Sequence, residues 1–327
     1  MATNSVFRAG LFKGKVCLVT GGGTGIGKAI ATELVGLGAQ VIIAARNADR
    51  LKAATTQLDA VAERAGAPKV ACVRLNIRDE AGVNDAFAQL VSTHGRVDCL
   101  VNNGGGQFAS PAAAIKPKGW RAVVDTNLNG TWLMCQAMYN NTPPLKRPGL
   151  CIVNVTADFF NGFPGMAHTG AARAAVDNLT KTLAREWGPE GLRVNSVAPG
   201  IIMSSGVNNY PEEYRGQFFR SGESVPSGRP GTESELASAC VFLLSPAATY
   251  VNGATLRVDG GGSLAKEDFM TGRVLAQFRD MDGVDAAERR AAVAAGTKPF
   301  HVTDTLAKEF DDRMALDPES AAGKSKL

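Results

Sequence analysis

The chain has 327 residues and a formal net charge of +4, with 45% hydrophobic and 20% charged residues. This composition supplies a sizeable hydrophobic core and excludes a chain that is disordered throughout. The small basic excess contains no block of lysine and arginine, which argues against nucleic-acid binding. We expect no membrane span and no signal peptide, because no apolar run is long enough for either.

Six cysteines are present, and none of them forms a CxxC pair. We interpret them as buried free thiols in a reducing compartment, without disulfides or structural zinc. The three histidines are far apart in the sequence, so we expect no metal site.

Short apolar runs alternate with segments of helical periodicity along the first two-thirds of the chain. The runs predict strands at 15–20, 41–45, 70–75, 98–101, 150–155, 193–197 and 255–258. The other segments predict helices at 25–37, 48–64, 80–94, 120–139, 166–187 and 233–244. This alternation predicts a Rossmann-type α/β fold, a doubly wound parallel sheet with helices on both faces. Ligands of such sheets bind at the carboxyl ends of the strands.

The composition changes after Gly262, where strand patterns stop and amphipathic helical pieces begin. We therefore divide the chain into an α/β domain at 1–264 and a helical extension with a C-terminal tail at 265–327. The last three residues, Ser325, Lys326 and Leu327, match the tripeptide that the peroxisomal import receptor binds. We expect the protein in the matrix of a peroxisome or of a related organelle such as a glycosome.

The first predicted strand leads into a glycine-rich segment, Thr20-Gly21-Gly22-Gly23-Thr24-Gly25-Ile26-Gly27, and a helix follows. Glycine allows the tight turn and the close approach of the backbone to a pyrophosphate. The helix N-terminus then offers free N–H groups to the phosphates. We predict that a dinucleotide binds here to Gly21, Thr24, Gly25, Ile26 and Gly27.

The second predicted strand ends at Ala45, and Arg46 follows it directly. An NAD-binding protein usually has an acidic residue at this point, which binds the ribose 2′-hydroxyl. Here no carboxylate is present, and a guanidinium can hold a 2′-phosphate through charge-assisted hydrogen bonds. The sequence therefore favours NADP or NADPH as cofactor, with Arg46 as the specificity residue and Arg50 as a weaker candidate.

These motifs resemble those of the short-chain dehydrogenase/reductase family over residues 13–264. Asn102-Asn103-Gly104-Gly105 is similar to the family's NNAG segment, and Pro199-Gly200 is similar to the loop that faces the nicotinamide. The resemblance implies a homo-oligomer, either a tetramer or a dimer. It also implies further cofactor-binding residues, namely Asn76, Ile77, Asn103, Gly104, Gly105, Arg173, Pro199, Gly200 and Ile202.

The catalytic pattern of that family, a Ser and a Tyr-x-x-x-Lys, is incomplete in this chain. None of the four tyrosines has a Lys four residues later. Thr169 and Arg173 stand at the Tyr and Lys positions, and Thr156 stands at the Ser position. A threonine hydroxyl is too weak an acid to replace tyrosine in ketone reduction. Reduction of a conjugated C=C bond needs hydrogen-bond donors at the thioester oxygen instead, and threonine can supply one.

A closer resemblance is to the peroxisomal trans-2-enoyl-CoA reductases, through Gln107-Phe108, Gly162-Phe163-Pro164 and the segment that contains Thr169 and Arg173. It implies that an acyl-CoA thioester is the substrate and that NADPH reduces its C2=C3 double bond, in fatty-acid metabolism. One alternative is a 2,4-dienoyl-CoA reductase or another short-chain oxidoreductase. The other is a non-catalytic NADP-binding or scaffold protein.

The resemblance implies roles for individual residues, which we state as hypotheses. Thr169 donates to the thioester oxygen, and Arg173 holds the nicotinamide ribose. Asp158 supplies the Cα proton if burial raises its pKa. Gln107 and Phe108 line the acyl site, whereas His168 is expected to have a packing or surface role. The full set of catalytic candidates is Thr169, Arg173, Asn127, Thr156, Asn129 and Asp158.

Overall fold

The computed structural model describes residues 5–205 and 225–264. The predicted extension at 265–327, including Ser325, Lys326 and Leu327, lies outside the described residues. The strands are β1 Val16–Thr20, β2 Gln40–Ala45, β3 Ala71–Arg74, β4 Cys99–Asn102, β5 Cys151–Val155, β6 Arg193–Pro199, β7 Ile202–Met203, β8 Gly231–Thr232 and β9 Thr255–Val258. The α-helices are α1 Gly25–Gly36, α2 Ala48–Ala65, α3 Glu80–His94, α4 Pro117–Val124, α5 Gly130–Asn141, α6 Ala167–Trp187 and α7 Glu233–Leu244.

The predicted parallel sheet is confirmed and has seven strands in the order β3-β2-β1-β4-β5-β6-β9. Its central strands β1, β4 and β5 are buried along their whole length, as expected for strands covered by helices on both faces. β7 and β8 form a separate two-stranded pair that the sequence did not predict. No helix in the described ranges is long and apolar enough to cross a membrane.

Two hydrophobic cores lie on opposite faces of the sheet because successive strand residues point to opposite sides. Val19 of β1 packs with Ile30 of α1 in one core. Leu18, its neighbour in the strand, packs with Phe87 of α3 and Met134 of α5 in the other. Each helix therefore holds one face of a strand and fixes the loop at the strand's carboxyl end.

Edge strand β3 corrects one expectation about the cysteines. Five of the six are buried as predicted, but Cys72 is exposed because β3 has a neighbour on one side only and alternates half-buried with exposed residues. All six are free thiols. Burial raises the pKa of the Cys135 thiol to about 12, so this thiol stays protonated and packs as an apolar group.

The predicted helix at 120–139 is not uniform. α4 and α5 are joined by a π-helical turn, Asp125–Asn129, in the middle of the predicted segment. Asn127 in this turn is fully buried, and its carboxamide is held by Gly106, a residue of the loop after β4. Periodicity alone did not reveal the wider turn, because the apolar spacing continues on both sides of it.

Removal of the Phe87 ring tests the second core. We expect Phe87→Ala to lower the free energy of unfolding by about 3–5 kcal/mol, because the ring is fully buried and leaves a cavity. Leu145→Ala is the matched control, since Leu145 is 97% exposed and its loss should change stability by less than about 0.5 kcal/mol. Urea denaturation of the two variants measures both values, and equal effects would contradict this description of the core.

Candidate functional site

The glycine-rich loop between β1 and α1 leaves no room for side chains at its closest contacts. Gly21 and Gly25 have φ angles of 67° and 58°, which favour glycine. A Cβ at Gly27 would overlap the carbonyl oxygen of Gly21, and one at Gly21 would lie 2.7 Å from Asn103 Nδ2. The predicted glycines are therefore required by backbone packing, and they bring the N-terminus of α1 to the carboxyl edge of the sheet.

Thr20, the last residue of β1, is a positioning residue that sequence reasoning missed. Its hydroxyl accepts hydrogen bonds from the backbone N–H groups of Asn103 (3.0 Å) and Gly104 (2.8 Å). In return, Asn103 Nδ2 donates to the Thr20 carbonyl oxygen at 3.1 Å. These bonds tie the loop after β4 to the glycine-rich loop. The sequence feature that could have identified Thr20 is a hydroxyl residue directly before a run of glycines.

Arginines collect where β2 and β3 end. Arg46 is exposed, and Arg74 Nε donates to its carbonyl oxygen at 3.3 Å. Arg74 was not predicted, because only the strand register, which pairs it with Ala45, brings it to Arg46. Arg50 is also exposed, in the first turn of α2.

Two predicted cofactor residues follow β3. Asn76 is exposed, and Ile77 packs against Gly104 and Gly130.

Arg173 of α6 is the charge at the centre of the edge. It is 8% exposed, and its Nη1 donates to the Val155 carbonyl oxygen at 2.9 Å. Within residues 5–205 and 225–264 it forms no ion pair. Burial lowers the pKa of this guanidinium to about 10. A buried cation without a carboxylate partner is costly, so a polar or anionic ligand would stabilise it.

Gly105 brings Arg173 and Asn127 together. A Cβ at Gly105 would overlap Arg173 Nη2 and lie 2.6 Å from Asn127 Oδ1. Asn127 itself accepts from Gly106 N at 3.1 Å and donates to Gly106 O at 2.7 Å. The π-helical turn thus holds the loop after β4 against the guanidinium. The three predicted residues Gly105, Asn127 and Arg173 therefore lie next to one another in the structure.

The two candidate hydroxyls have different surroundings. Thr156 Oγ1 donates to the Val197 carbonyl oxygen at 3.1 Å, which joins the ends of β5 and β6. Thr169, in the first turn of α6, is fully buried, and its Oγ1 lies 3.3 Å from His168 Nδ1. Thr156 thus has a structural bond between strand ends, whereas the Thr169 hydroxyl has a longer contact with the His168 imidazole.

Asp158 lies in the loop after β5, with its N–H donating to the Pro199 carbonyl oxygen at 3.0 Å. Its Oδ1 is buried and has no hydrogen-bond partner in the described part of the chain. Burial raises the pKa of this carboxyl, and the negative charge of Asp259 raises it further. A hydrogen bond from the Phe160 backbone and the charge of Arg257 oppose the shift. The carboxyl therefore holds its proton to a higher pH than an ordinary aspartate does.

The remaining predicted residues lie in the turn between α4 and α5, in the loop after β4, in the loop after β6 and in β7. Asn129 is exposed, and its amide donates to Asp125 Oδ1 at 2.9 Å. Phe108 is 40% exposed and touches Gly119, next to the exposed Gln107. Gly200 lies tight against Asp259, where a Cβ would be only 2.7 Å from the Asp259 backbone. Ile202 is buried, with its side chain against Gly231.

The arrangement fits a nicotinamide dinucleotide. A glycine cradle stands at the N-terminus of α1, and arginines stand where β2 and β3 end. A guanidinium that forms no ion pair among the described residues is buried where β4 and β5 end. Arg46 would hold the adenosine end, and Arg173 would hold the nicotinamide ribose. The described residues contain no group of three His, Cys, Asp or Glu residues arranged as metal ligands.

Comparison with known proteins agrees with this geometry. The sequence model of the family described as "Enoyl-(Acyl carrier protein) reductase" matches residues 21–263. A probable 2,4-dienoyl-CoA reductase [(2E)-enoyl-CoA-producing] of Bacillus subtilis is 37% identical over 76% of this chain and 96% of its own length. A peroxisomal 2,4-dienoyl-CoA reductase of Danio rerio is 35% identical over 79% of this chain and 85% of its own.

Two solved structures show the same fold. A citronellol catabolism dehydrogenase of Pseudomonas aeruginosa PAO1 is 41% identical, with a TM-score of 0.69 over 80% of this chain and 99% of that one. A short chain dehydrogenase of Bacillus anthracis is 34% identical, with a TM-score of 0.69 over 78% and 99%. The chain therefore belongs to the short-chain dehydrogenase/reductase family, and it is an oxidoreductase whose fold binds a nicotinamide cofactor.

Proposed function

We propose that the protein uses NADPH to reduce the C2=C3 double bond of trans-2-enoyl-CoA thioesters. One feature supports this proposal: Thr169, which the family resemblance matches to the catalytic tyrosine, is a buried threonine beside His168. The ordinary pKa of a tyrosine, near 10, can be lowered by a neighbouring cation, but an alcohol stays too weak an acid to protonate an alkoxide as it forms. The site is better suited to a substrate whose oxygen needs only hydrogen bonds.

An α,β-unsaturated thioester is such a substrate. When bound, NADPH supplies a hydride to Cβ of the thioester, and negative charge develops on the thioester oxygen. The Thr169 hydroxyl donates to that oxygen, and the guanidinium of Arg173 adds a positive field while it holds the ribose. Asp158, whose pKa is raised, gives its proton to Cα, directly or through a water. Cβ thus gains the hydride and Cα the proton.

A 2,4-dienoyl-CoA reductase is the second candidate, and the names of the Bacillus subtilis and Danio rerio relatives favour it. Both reactions place negative charge on a thioester oxygen and a proton on carbon, so the same side chains serve either. Arg173 favours the enoyl reaction, because it matches the resemblance to enoyl reductases. We also propose a peroxisomal location, supported by the word "peroxisomal" in the second relative's name and by the tripeptide Ser325-Lys326-Leu327. The family resemblance alone supports the further proposal of a homo-oligomer.

A substrate panel tests the reaction. The purified full chain is mixed with NADPH and with trans-2-enoyl, 2,4-dienoyl or 3-keto CoA thioesters of equal length, and the loss of NADPH absorbance is followed. We expect the largest kcat/KM for the trans-2-enoyl thioester and negligible turnover of the 3-keto compound. Preference for the dienoyl thioester would select the second candidate. Rapid reduction of the 3-keto compound would refute the argument from Thr169.

Substitution of Arg46 tests the cofactor. Arg46→Ala should raise the Kd for NADPH about 10- to 100-fold, because a charge-assisted hydrogen bond to the 2′-phosphate is lost. The Kd for NADH should change little. Arg64→Ala, an exposed arginine in the last turn of α2, is the control and should alter neither value. Titration of cofactor fluorescence measures all four, and an equal loss for both cofactors would show that Arg46 does not bind a 2′-phosphate.

The pH dependence of kcat tests Asp158. Because the pKa of Asp158 is raised, the acid form and the activity that needs it persist below that pKa and are lost as pH rises through it. Asp158→Asn should lower kcat about 100-fold and remove this loss from the profile. Asp259→Asn should move the loss to lower pH, since the Asp259 charge helps to raise the pKa. Asp85→Asn, on the exposed face of α3, should leave the profile as it is. An unchanged profile in Asp158→Asn would exclude Asp158 as the acid.

A further inference from the structure

Arg74, the last residue of β3, extends to the turn between β2 and α2. The strand register pairs it with Ala45, the last residue of β2, and its Nε donates to the carbonyl oxygen of the next residue, Arg46, at 3.3 Å. A guanidinium has five N–H donors, and those on Nη1 and Nη2 of Arg74 have no acceptor among the described residues. Arg74 is exposed, so these donors are accessible to a ligand.

Arg74 adds a third positive charge to this turn. Arg46 and Arg50 are exposed there as well, and none of the three arginines forms an ion pair within residues 5–205 and 225–264. Asp49, which precedes Arg50 in the sequence, is exposed and forms none there either. Like charges that lie close together repel one another, and a bound anion offsets that repulsion. The turn therefore favours a phosphate dianion over a neutral group.

The turn is fixed in place beside the glycine-rich loop. Asn47 caps α2, and its side chain accepts from Arg50 N at 2.9 Å. A Cβ at Gly23 would lie 3.6 Å from the Arg50 carbonyl oxygen, so the first turn of α2 is in contact with the loop that is expected to hold the pyrophosphate. The bond from Arg74 to the Arg46 carbonyl oxygen holds the same turn from the side of β3. The arginines are thus presented by a backbone that needs little rearrangement to bind a ligand.

We propose that Arg74 is a second ligand of the NADPH 2′-phosphate, which it shares with Arg46. The inference rests on the proposed use of NADPH. The Nε bond holds the Arg74 guanidinium against the backbone of the turn, and its Nη groups donate to phosphate oxygens. A guanidinium that is already held loses less conformational freedom on binding than a free one. NADH has a hydroxyl in place of this phosphate, so Arg74 contributes to the choice of cofactor more than to the affinity for any dinucleotide.

Arg74→Gln separates phosphate binding from support of the turn. Glutamine Nε2 is attached to Cδ, as arginine Nε is, so the variant can still donate to the Arg46 carbonyl oxygen but has neither the Nη groups nor the charge. Calorimetric titration of the full chain with 2′,5′-ADP should give a Kd about 5- to 10-fold higher for Arg74→Gln than for wild type. The Kd for 5′-AMP, which lacks the 2′-phosphate, should not change.

Lys52→Gln is the matched control for the loss of one charge. Lys52 is exposed in α2, and it lies two residues after Arg50, so the two side chains do not share a face of the helix. This variant should change the Kd for 2′,5′-ADP by less than about twofold. Both variants should keep the melting temperature of wild type, because the substituted side chains are exposed.

Three results would overturn the proposal. Wild-type affinity for 2′,5′-ADP in Arg74→Gln would show that Arg74 only supports the turn. An equal loss for 5′-AMP would show that the substitution distorts the adenosine site. A loss confined to 3′,5′-ADP, the phosphate pattern of CoA, would assign Arg74 to the thioester substrate instead.

The same titrations distinguish this inference from the proposed function. If wild type binds 2′,5′-ADP no more tightly than 5′-AMP, the proposed use of NADPH fails and the role of Arg74 fails with it. If wild type prefers 2′,5′-ADP and Arg74→Gln keeps that preference in full, only the inference fails. Because no turnover is measured, a failure to reduce enoyl or dienoyl thioesters would refute the proposed reaction and leave the result for Arg74 as it stands.

Discussion

The burial of one guanidinium constrains the site more than any other interaction. Arg173 is held in the carboxyl edge by the Val155 carbonyl oxygen, and no ion pair balances it among the residues that the structure describes. Gly105 must lack a side chain because a Cβ there would overlap Arg173 Nη2, and Asn127, in the π-helical turn, lies close to the same glycine. A buried charge without a carboxylate partner destabilises the fold, and a bound dinucleotide would stabilise that charge.

Close approach of backbone to backbone is the second constraint. The loops after β1 and β4 touch through Thr20 and Asn103, so the phosphate end and the nicotinamide end of the site are one hydrogen-bonded unit. Rigid strands below and helices on both faces fix that unit in place.

The sequence predicted the fold and the cofactor loop because both depend on local patterns. Strand and helix periods follow from burial on one or two faces, and the glycine spacing follows from turns that only glycine makes. Features set by long-range contact escaped prediction. Arg74 reaches Arg46 through strand register, the π-helical turn depends on Gly106, and the burial of His168 depends on Phe108. These long-range contacts could not be inferred from the type of a residue or from its neighbours in the sequence.

The proposed function also separates two tasks that a single acidic phenol would combine. A phenol both donates a hydrogen bond to an oxygen and gives up its proton. In the proposed reaction the Thr169 hydroxyl would donate to the oxygen, and the carboxyl of Asp158, on the loop after β5, would supply the proton. Reduction of a C=C bond needs that division, because the charge develops on oxygen while the proton is required at carbon. Each group then needs only one property: a donor must stay protonated, and the acid must hold its proton until Cα takes it.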